Sequence, residues 1–329
     1  MIKVANKYLC TKNLKYRTKE LDWRTSRLCE INEWENPEFA LTAKEIMGNN
    51  TFPKHRKVWE FSATVLALKD LGLLNKDSVC ISVAAGVERI LFYLANKTNG
   101  VIATDIYGLG DFSNKEANKS FINNQKQFAP YSYTEENLIA ANCNALNLKF
   151  PDNSFDFAFS MSSIEHFGGI KNANRALKEM SRVVKPGGYV IITTEFAINN
   201  YITDQVFKYK DFKKLIKDTN LSGKLDFSLS NESLKYLCDM LVDDLEQLPH
   251  INLKAFASIF TSAILILKKD GSSNIRTNKS KLWSIAKNLR NEVKLKKENK
   301  LVSVIKKKLL NLKIKRDLML LKLENKCND

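Results

Sequence analysis

A chain of 329 residues is long enough for one large α/β domain with additions or for two small domains, and its hydrophobic fraction of 44% supports a sizeable core. The formal net charge of +16 is unevenly placed: residues 276–329 carry 17 Lys or Arg against 5 Asp or Glu, whereas the preceding 275 residues carry 35 against 31. A near-neutral body with a basic tail argues against a nucleic-acid surface on the main domain.

No positively charged leader followed by an apolar stretch opens the chain, and the longest uncharged apolar run, residues 255–267, falls short of the roughly 18 that a spanning helix needs. The expectation is a cytoplasmic protein without a transmembrane segment. Cys10, Cys29, Cys80, Cys143, Cys238 and Cys327 are scattered, with no CxxC pair and no neighbouring histidine. That pattern reads as reduced thiols rather than a zinc site or a disulfide framework.

Residues 1–50 are polar and mixed, show no clear period and read as an N-terminal extension. Over 57–74, Val58, Phe61, Val65, Leu68 and Leu71 recur at steps of three and four, one face of a helix that Gly72 would end. Short apolar runs follow at 79–83, 101–104, 138–141, 155–160 and 189–193, separated by helical stretches. This alternation predicts an α/β domain over 51–270: a Rossmann-like, mostly parallel sheet with helices on both faces. A run at 256–267 reads as a late strand in an antiparallel edge pair, and amphipathic stretches at 209–218 and 232–248 read as crossover helices or a lid.

Beyond the linker-like Gly271, Ser272, Ser273 and Asn274, residues 271–329 form a separate basic helical tail. Leu282, Ile285, Leu289 and Val293, and after a break at 294–300 Val302, Ile305, Leu309, Leu312, Met319 and Leu323, space an amphipathic helix whose polar face is lysine-rich. Three readings stay open. The first is a coiled coil for homo-oligomers or a partner; the second is peripheral membrane contact, with Lys306, Lys307 and Lys308 flanking apolar anchors; nucleic-acid contact ranks last.

Residues 79–95 run from a strand through a small-residue turn into a helix, so that backbone can approach a ligand and the helix N-terminus can offer it amide N–H groups. An ordinary tight turn has the same appearance. Asp105, 19 positions after Gly86 at the end of the next strand, is placed to accept ribose hydroxyls, which together with the turn points to an adenosine cofactor without choosing one.

The choice comes from PDNSFDFAFSMSSIEHFGG (151–169) and EMSRVVKPGGYVIITTE (179–195), which resemble class I S-adenosylmethionine-dependent methyltransferases of the type 11-like group, including members of glycan pathways. The matching residues are Pro151, Asp152, Ser154, Phe155, Asp156, Glu165, His166, Arg182, Val183, Lys185, Pro186, Gly187 and Gly188. The resemblance implies S-adenosyl-L-methionine as cofactor, held by Ser82, Ala84, Gly86, Glu88, Asp105, Ile106, Asn144, Ala145 and Ser160. Three departures from the family pattern stand out. Ser82 replaces an acidic residue, Ala84 replaces the first glycine and fits the turn if its φ is negative, and Asn144-Ala145 replaces an acidic-small pair at the adenine.

Methyl transfer is an in-line displacement at a sulfonium methyl, so alignment matters most, and a hydroxyl acceptor also profits from a general base. Glu165, His166 and Glu195, at the ends of the fourth and fifth strands, are the candidate catalytic residues; for each, a purely structural role is the competing reading. His55 reads as a surface residue, with a place over the cofactor beside Arg56 or Trp59 as the alternative. Tyr107, Phe112, Phe121, Phe128, Tyr131 and Tyr133, in the long segment between the second and third strands, either cover the site or pack on the domain. The implied function is methyl transfer to a small-molecule, saccharide or lipid-linked glycan acceptor, at oxygen. A degenerate binding scaffold recruited through its C-terminal helix is the alternative, motivated by Ser82 and Ala84. Methylation of RNA or protein is disfavoured, since SMSSIEH stands where an NPPY-like motif would be.

Overall fold

A computed structural model describes residues 10–12, 21–109, 116–199, 205–240 and 248–290, with backbone only at 10–12. In chain order the elements are β1 (Cys10–Lys12), β2 (Ser26–Leu28), α1 (Pro37–Met47), α2 (Arg56–Asp70), β3 (Val79–Val83), α3 (Arg89–Lys97), β4 (Gly100–Asp105), β5 (Leu138–Asn142), β6 (Phe155–Met161), α4 (Ile170–Val183), β7 (Val184–Ala197) and α5 (Tyr209–Leu215). Short strands β8 (Leu221–Ser222), β9 (Leu225–Asp226), β10 (Ser228–Ser230) and β11 (Leu237–Asp239) precede β12 (Asn252–Ala255) and β13 (Ser258–Lys269).

The main sheet runs β11-β12-β13-β7-β6-β3-β4-β5, parallel from β7 to β5 and antiparallel where β13 meets β7. From β3 the chain builds outward through β4 to β5 and then returns to lay β6 and β7 on the other side. The switch point between β3 and β6 opens a crevice at the carboxyl ends of the strands, where ligands of such sheets sit. All five residues of β3 are buried, as expected for a strand covered on both faces.

Helices α1 to α3 cover one face, with Phe39, Trp59, Leu66 and Phe92 in its core; α4 and α5 cover the other, with Leu177, Met180 and Phe212. Local sequence explains the starts. Asn36 caps α1 by accepting from the amides of Glu38 and Phe39, with Pro37 at the first turn, and His55 caps α2 by accepting from the Lys57 amide. Residues 58–68 of α2 are buried all round, because the helix is wedged between the sheet and α1.

Several sequence expectations shift once the sheet is assembled. β13 is an interior strand, paired with β7, β12, β2 and β8, because β12 and β11 extend the sheet beyond it. The amphipathic run at 232–248 is a 3-10 turn, Ser233–Lys235, followed by β11, since pairing with β12 competes with helix formation there; residues 241–247 lie outside the described part. Of the 209–218 stretch, α5 takes Tyr209–Leu215 and packs against α4 rather than arching over the site.

Residues near both ends of the chain enter the packed domain. β2, from the segment read as an extension, pairs with β13, and buried Arg27 forms a two-pronged ion pair with buried Glu33, at 2.9 and 3.0 Å. A helix over 279–290, beyond the boundary expected at 270, buries Leu282, Ala286 and Leu289 on the α4 face of the sheet. Its Trp283 lies against Gly100, where any side chain would collide with the indole. The apolar positions from 302 to 323 lie outside the described residues. No helix among the described residues is long and apolar enough to cross a membrane, and Cys29, Cys80, Cys143 and Cys238 are buried free thiols.

Candidate active site

The turn after β3 brings backbone to the crevice in a left-handed conformation, with φ of 51° at Ala84 and 50° at Gly86. Alanine at 84 therefore does not meet the negative φ expected of it. A non-glycine residue there costs roughly 1–2 kcal/mol. Neighbouring bonds offset the cost: the Ala85 amide donates to the Thr104 carbonyl at 2.9 Å, and Ser163 Oγ donates to the Ala84 carbonyl at 3.1 Å. At Gly86 a Cβ would approach the Glu116 carbonyl to 2.8 Å, so a side chain is excluded by space as well as by φ.

Asp105 ends β4 and joins this turn. Its Oδ2 accepts from the Gly86 amide at 2.9 Å and its Oδ1 from the Ile106 amide at 2.7 Å. Burial pushes its carboxyl up and the two amides pull it back, leaving it above the ordinary range. Each oxygen keeps lone-pair capacity for a ribose hydroxyl, so the residues present fit an adenosine cofactor.

Ala84, Gly86, Glu88, Asp105, Ile106, Glu165, His166 and Glu195 line one cavity of about 460 Å³, together with Arg56, Lys57, Leu109, Glu116, Ala117, Met161, Ser162, Ser163 and Phe167. Ser82, Asn144, Ala145 and Ser160 are not in its wall. Ser82 and Ser160 are buried within β3 and β6, and Asn144 is exposed, its Oδ1 accepting from the Leu146 amide at 2.8 Å. Of the aromatics, Tyr107 and Phe121 are core residues, with Phe128, Tyr131 and Tyr133 packed against the same cluster; Phe112 lies outside the described residues.

Beneath the cavity lies a charged cluster. Glu60, fully buried on α2, accepts from Ser262 Oγ at 2.6 Å, Ser162 Oγ at 2.8 Å and Thr193 Oγ1 at 3.1 Å, with Lys57 Nζ at 3.3 Å and Arg56 Nη1 at 3.4 Å. Burial alone would raise this carboxyl, but the two cations and the hydroxyls outweigh it and hold the group at about 2. Arg56 Nη1 also reaches Glu195 Oε1 at 2.6 Å. Lys57 bridges on to Glu88 at 3.2 Å, and although burial works against its charge, Glu60 and Glu88 raise it above its ordinary value.

Glu165 differs from Glu60 in having no cation paired with it among the described residues. It is 2% exposed, and only Oε2 is engaged, by Thr194 Oγ1 at 2.8 Å. Among the described residues, Oε1 has no hydrogen-bond partner, nor has Glu195 Oε2. Burial first, then the charge of Glu195, pushes Glu165 up to about 8; Glu195 is also raised by burial, in part reversed by Arg56. His166 is exposed at the cavity wall, and burial of its ring together with the charge of Lys57 lowers it, favouring the neutral imidazole. His55 is half-buried rather than superficial, its ring stacked on that of His250 at 4.2 Å.

Glu60, Lys57 and Met161 had no place in the sequence reading, and Arg56 had one only as a neighbour of His55. A signal was present: Arg56, Lys57 and Glu60 sit at i, i+1 and i+4 at the start of an otherwise apolar helix. The motif residues that carry the family resemblance are largely elsewhere. Arg182 pairs with Asp152 at 2.6 Å and Glu179 at 2.8 Å, and Lys185 pairs with Asp156 at 2.6 Å, bracing the opposite end of the sheet.

A doubly wound sheet with a carboxylate and a left-handed turn converging at its switch point defines an adenosine-cofactor-binding α/β domain. Residues 81–192 match the family described as Methyltransferase domain, so this stretch is a methyltransferase domain of the class I fold, and the turn and carboxylate at its switch point fit S-adenosylmethionine as the cofactor. The chain is similar to a sterol 4-C-methyltransferase of Caenorhabditis elegans, 27% identical over 43% of this chain and 38% of that one. It is also similar to a ubiquinone/menaquinone biosynthesis C-methyltransferase of Hahella chejuensis, 30% identical over 32% of this chain and 39% of the other. The chain thus spans about two fifths of the length of these curated relatives. Among solved structures, the YcgJ protein of Bacillus subtilis is 12% identical, with 65% of this chain and 99% of that one covered at a TM-score of 0.44.

Proposed function

We propose that the protein transfers the methyl group of S-adenosylmethionine to a hydroxyl of a small-molecule acceptor, with a saccharide as the leading class, and that Glu165 is the general base. The observation that carries this reading is a carboxylate 2% exposed, in the cavity wall, with one oxygen unpartnered among the described residues. A hydroxyl loses its proton as it is methylated, and a base in the cavity wall would accept it.

Asp105 and the 84–86 turn hold the adenosine part, and the Arg56, Glu60 and Thr194 contacts keep the two carboxylates fixed. Bound S-adenosylmethionine would supply the methyl group and keep the electron pair of the broken C–S bond on sulfur, while Glu165 takes the proton that the acceptor hydroxyl loses as its new O–C bond forms. Positioning supplies most of the rate, and the burial that lifts Glu165 also keeps water out.

Calorimetric titration with S-adenosylmethionine tests the foundation. The intact protein should bind, and Asp105→Ala should weaken binding by about tenfold or more, as expected when hydrogen bonds to a charged group are lost. Absence of binding by the intact protein would favour the scaffold reading instead. Incubation with methyl-labelled cofactor and fractionated cell extract then identifies the acceptor, and the label must be found on oxygen.

A further inference from the structure

We propose that Glu165, Glu195 and Arg56 together select an acceptor with two adjacent hydroxyl groups, Glu165 taking the reacting one and Glu195 with Arg56 holding its neighbour. This rests on the methyl-transfer reading. The three side chains line one cavity, and each has a buried polar atom without a hydrogen-bond partner among the described residues: Oε1 of Glu165, Oε2 of Glu195 and Nε of Arg56. Buried groups of this kind are costly to leave unpaired, so the set describes the ligand that would satisfy it.

With both carboxylates ionised, as the transfer requires of Glu165, that set contains two acceptors and one donor. An ammonium group only donates, and it would also enter beside the guanidinium that already lies 2.6 Å from Glu195. A phosphate or carboxylate only accepts, and it would face the acidic side chains of Glu60, Glu165 and Glu195. A hydroxyl both donates and accepts. One hydroxyl donates to Glu165 and gives up that proton in the transfer; the adjacent one donates to Glu195 Oε2 and accepts from Arg56 Nε. Glu195 is then a positioning and specificity-determining residue, and its proton balance is unchanged through the reaction.

The test uses the full chain saturated with S-adenosylhomocysteine and titrated with methyl mannopyranoside, its monodeoxy counterparts and the matching amino sugar. The parent glycoside should bind at least about tenfold more tightly than either a monodeoxy or the amino analogue, the factor expected for one charge-assisted hydrogen bond. Glu195→Gln should remove most of that discrimination while its thermal melt shows it folded. Equal affinities across the panel, preference for the amino sugar, or no binding of any glycoside overturns the proposal. Retained binding of S-adenosylhomocysteine in that same sample separates such a failure from failure of the methyltransferase reading.

Discussion

Ala84 occupies a left-handed turn that glycine would fill without strain, yet its carbonyl is secured by Ser163 and the next amide by Thr104. Ala84→Gly should therefore raise stability by about 0.5–1 kcal/mol, the relief of strain less the greater freedom of glycine in the unfolded chain. Urea unfolding measures it, and a fall in the midpoint would show that the turn is not strained at 84. Glu165 presents the opposite balance. Its carboxyl is raised to about 8 in the folded protein, so the folded state holds more protons than the unfolded state between about 4.5 and 8. Stability falls as pH rises through that window. Glu165→Gln should abolish methyl transfer, yet raise the melting temperature at pH 8.5 by more than at pH 5. In the intact enzyme the rate should climb with pH towards a plateau above about 8, as Glu165 ionises and becomes a base. A profile flat from 6 to 9 would remove it from that role.

At the scale of elements, the helix over 279–290 fills a gap that the β4–β5 connection leaves. The described residues of that connection form only 3-10 turns, Lys119–Ile122, Gln125–Phe128 and Glu135–Asn137, and Phe121 and Phe128 pack on the α3 face. The α4 face of β4 and β5 is covered instead by Leu282, Ala286 and Leu289, and the helix is tied down by Lys279 Nζ to Asn137 Oδ1 at 2.7 Å and by Thr277 Oγ1 to Asp156 Oδ2 at 3.0 Å. Leu282→Ala should cost about 2–5 kcal/mol, as for a fully buried leucine, and truncation after residue 275 should cost more. A truncated protein with unchanged stability would show that the helix is an accessory. The charged start of α2 ties elements together in a similar way, since Glu60 accepts from hydroxyls carried on β7, on β13 and just after β6.

For the molecule as a whole, that buried junction sets the acid limit. Glu60 is held at about 2, below its ordinary value, so its contribution to stability is complete above about 4.5 and is lost as pH falls towards 2. Glu60→Gln should destabilise the protein at pH 7, by about 3–5 kcal/mol if Arg56 and Lys57 are left without their partner, and should flatten the acid side of the stability curve. Melting temperatures from pH 2 to 7 for both proteins decide it.

The central sheet is legible in the sequence because buried parallel strands are short, nearly uninterrupted apolar runs, and each of 79–83, 101–104, 138–141, 155–160 and 189–193 falls within an observed strand. Asp105 and Gly86 were legible by spacing, since a βα turn fixes both at neighbouring strand ends, and they meet at 2.9 Å. Three things were settled only by tertiary structure. Whether Ser82 and Ser160 face the ligand depends on packing within the strand rather than on position in a motif. Whether 232–248 coils or extends depends on β12 lying alongside. The pairing of Arg56 with Glu195 joins residues 139 positions apart, a contact with no local sequence signature, and Glu165 meets them only at the same cavity. Local pattern determined the fold and the cofactor class; long-range burial determined which carboxylates carry a partner and which is left free to take a proton.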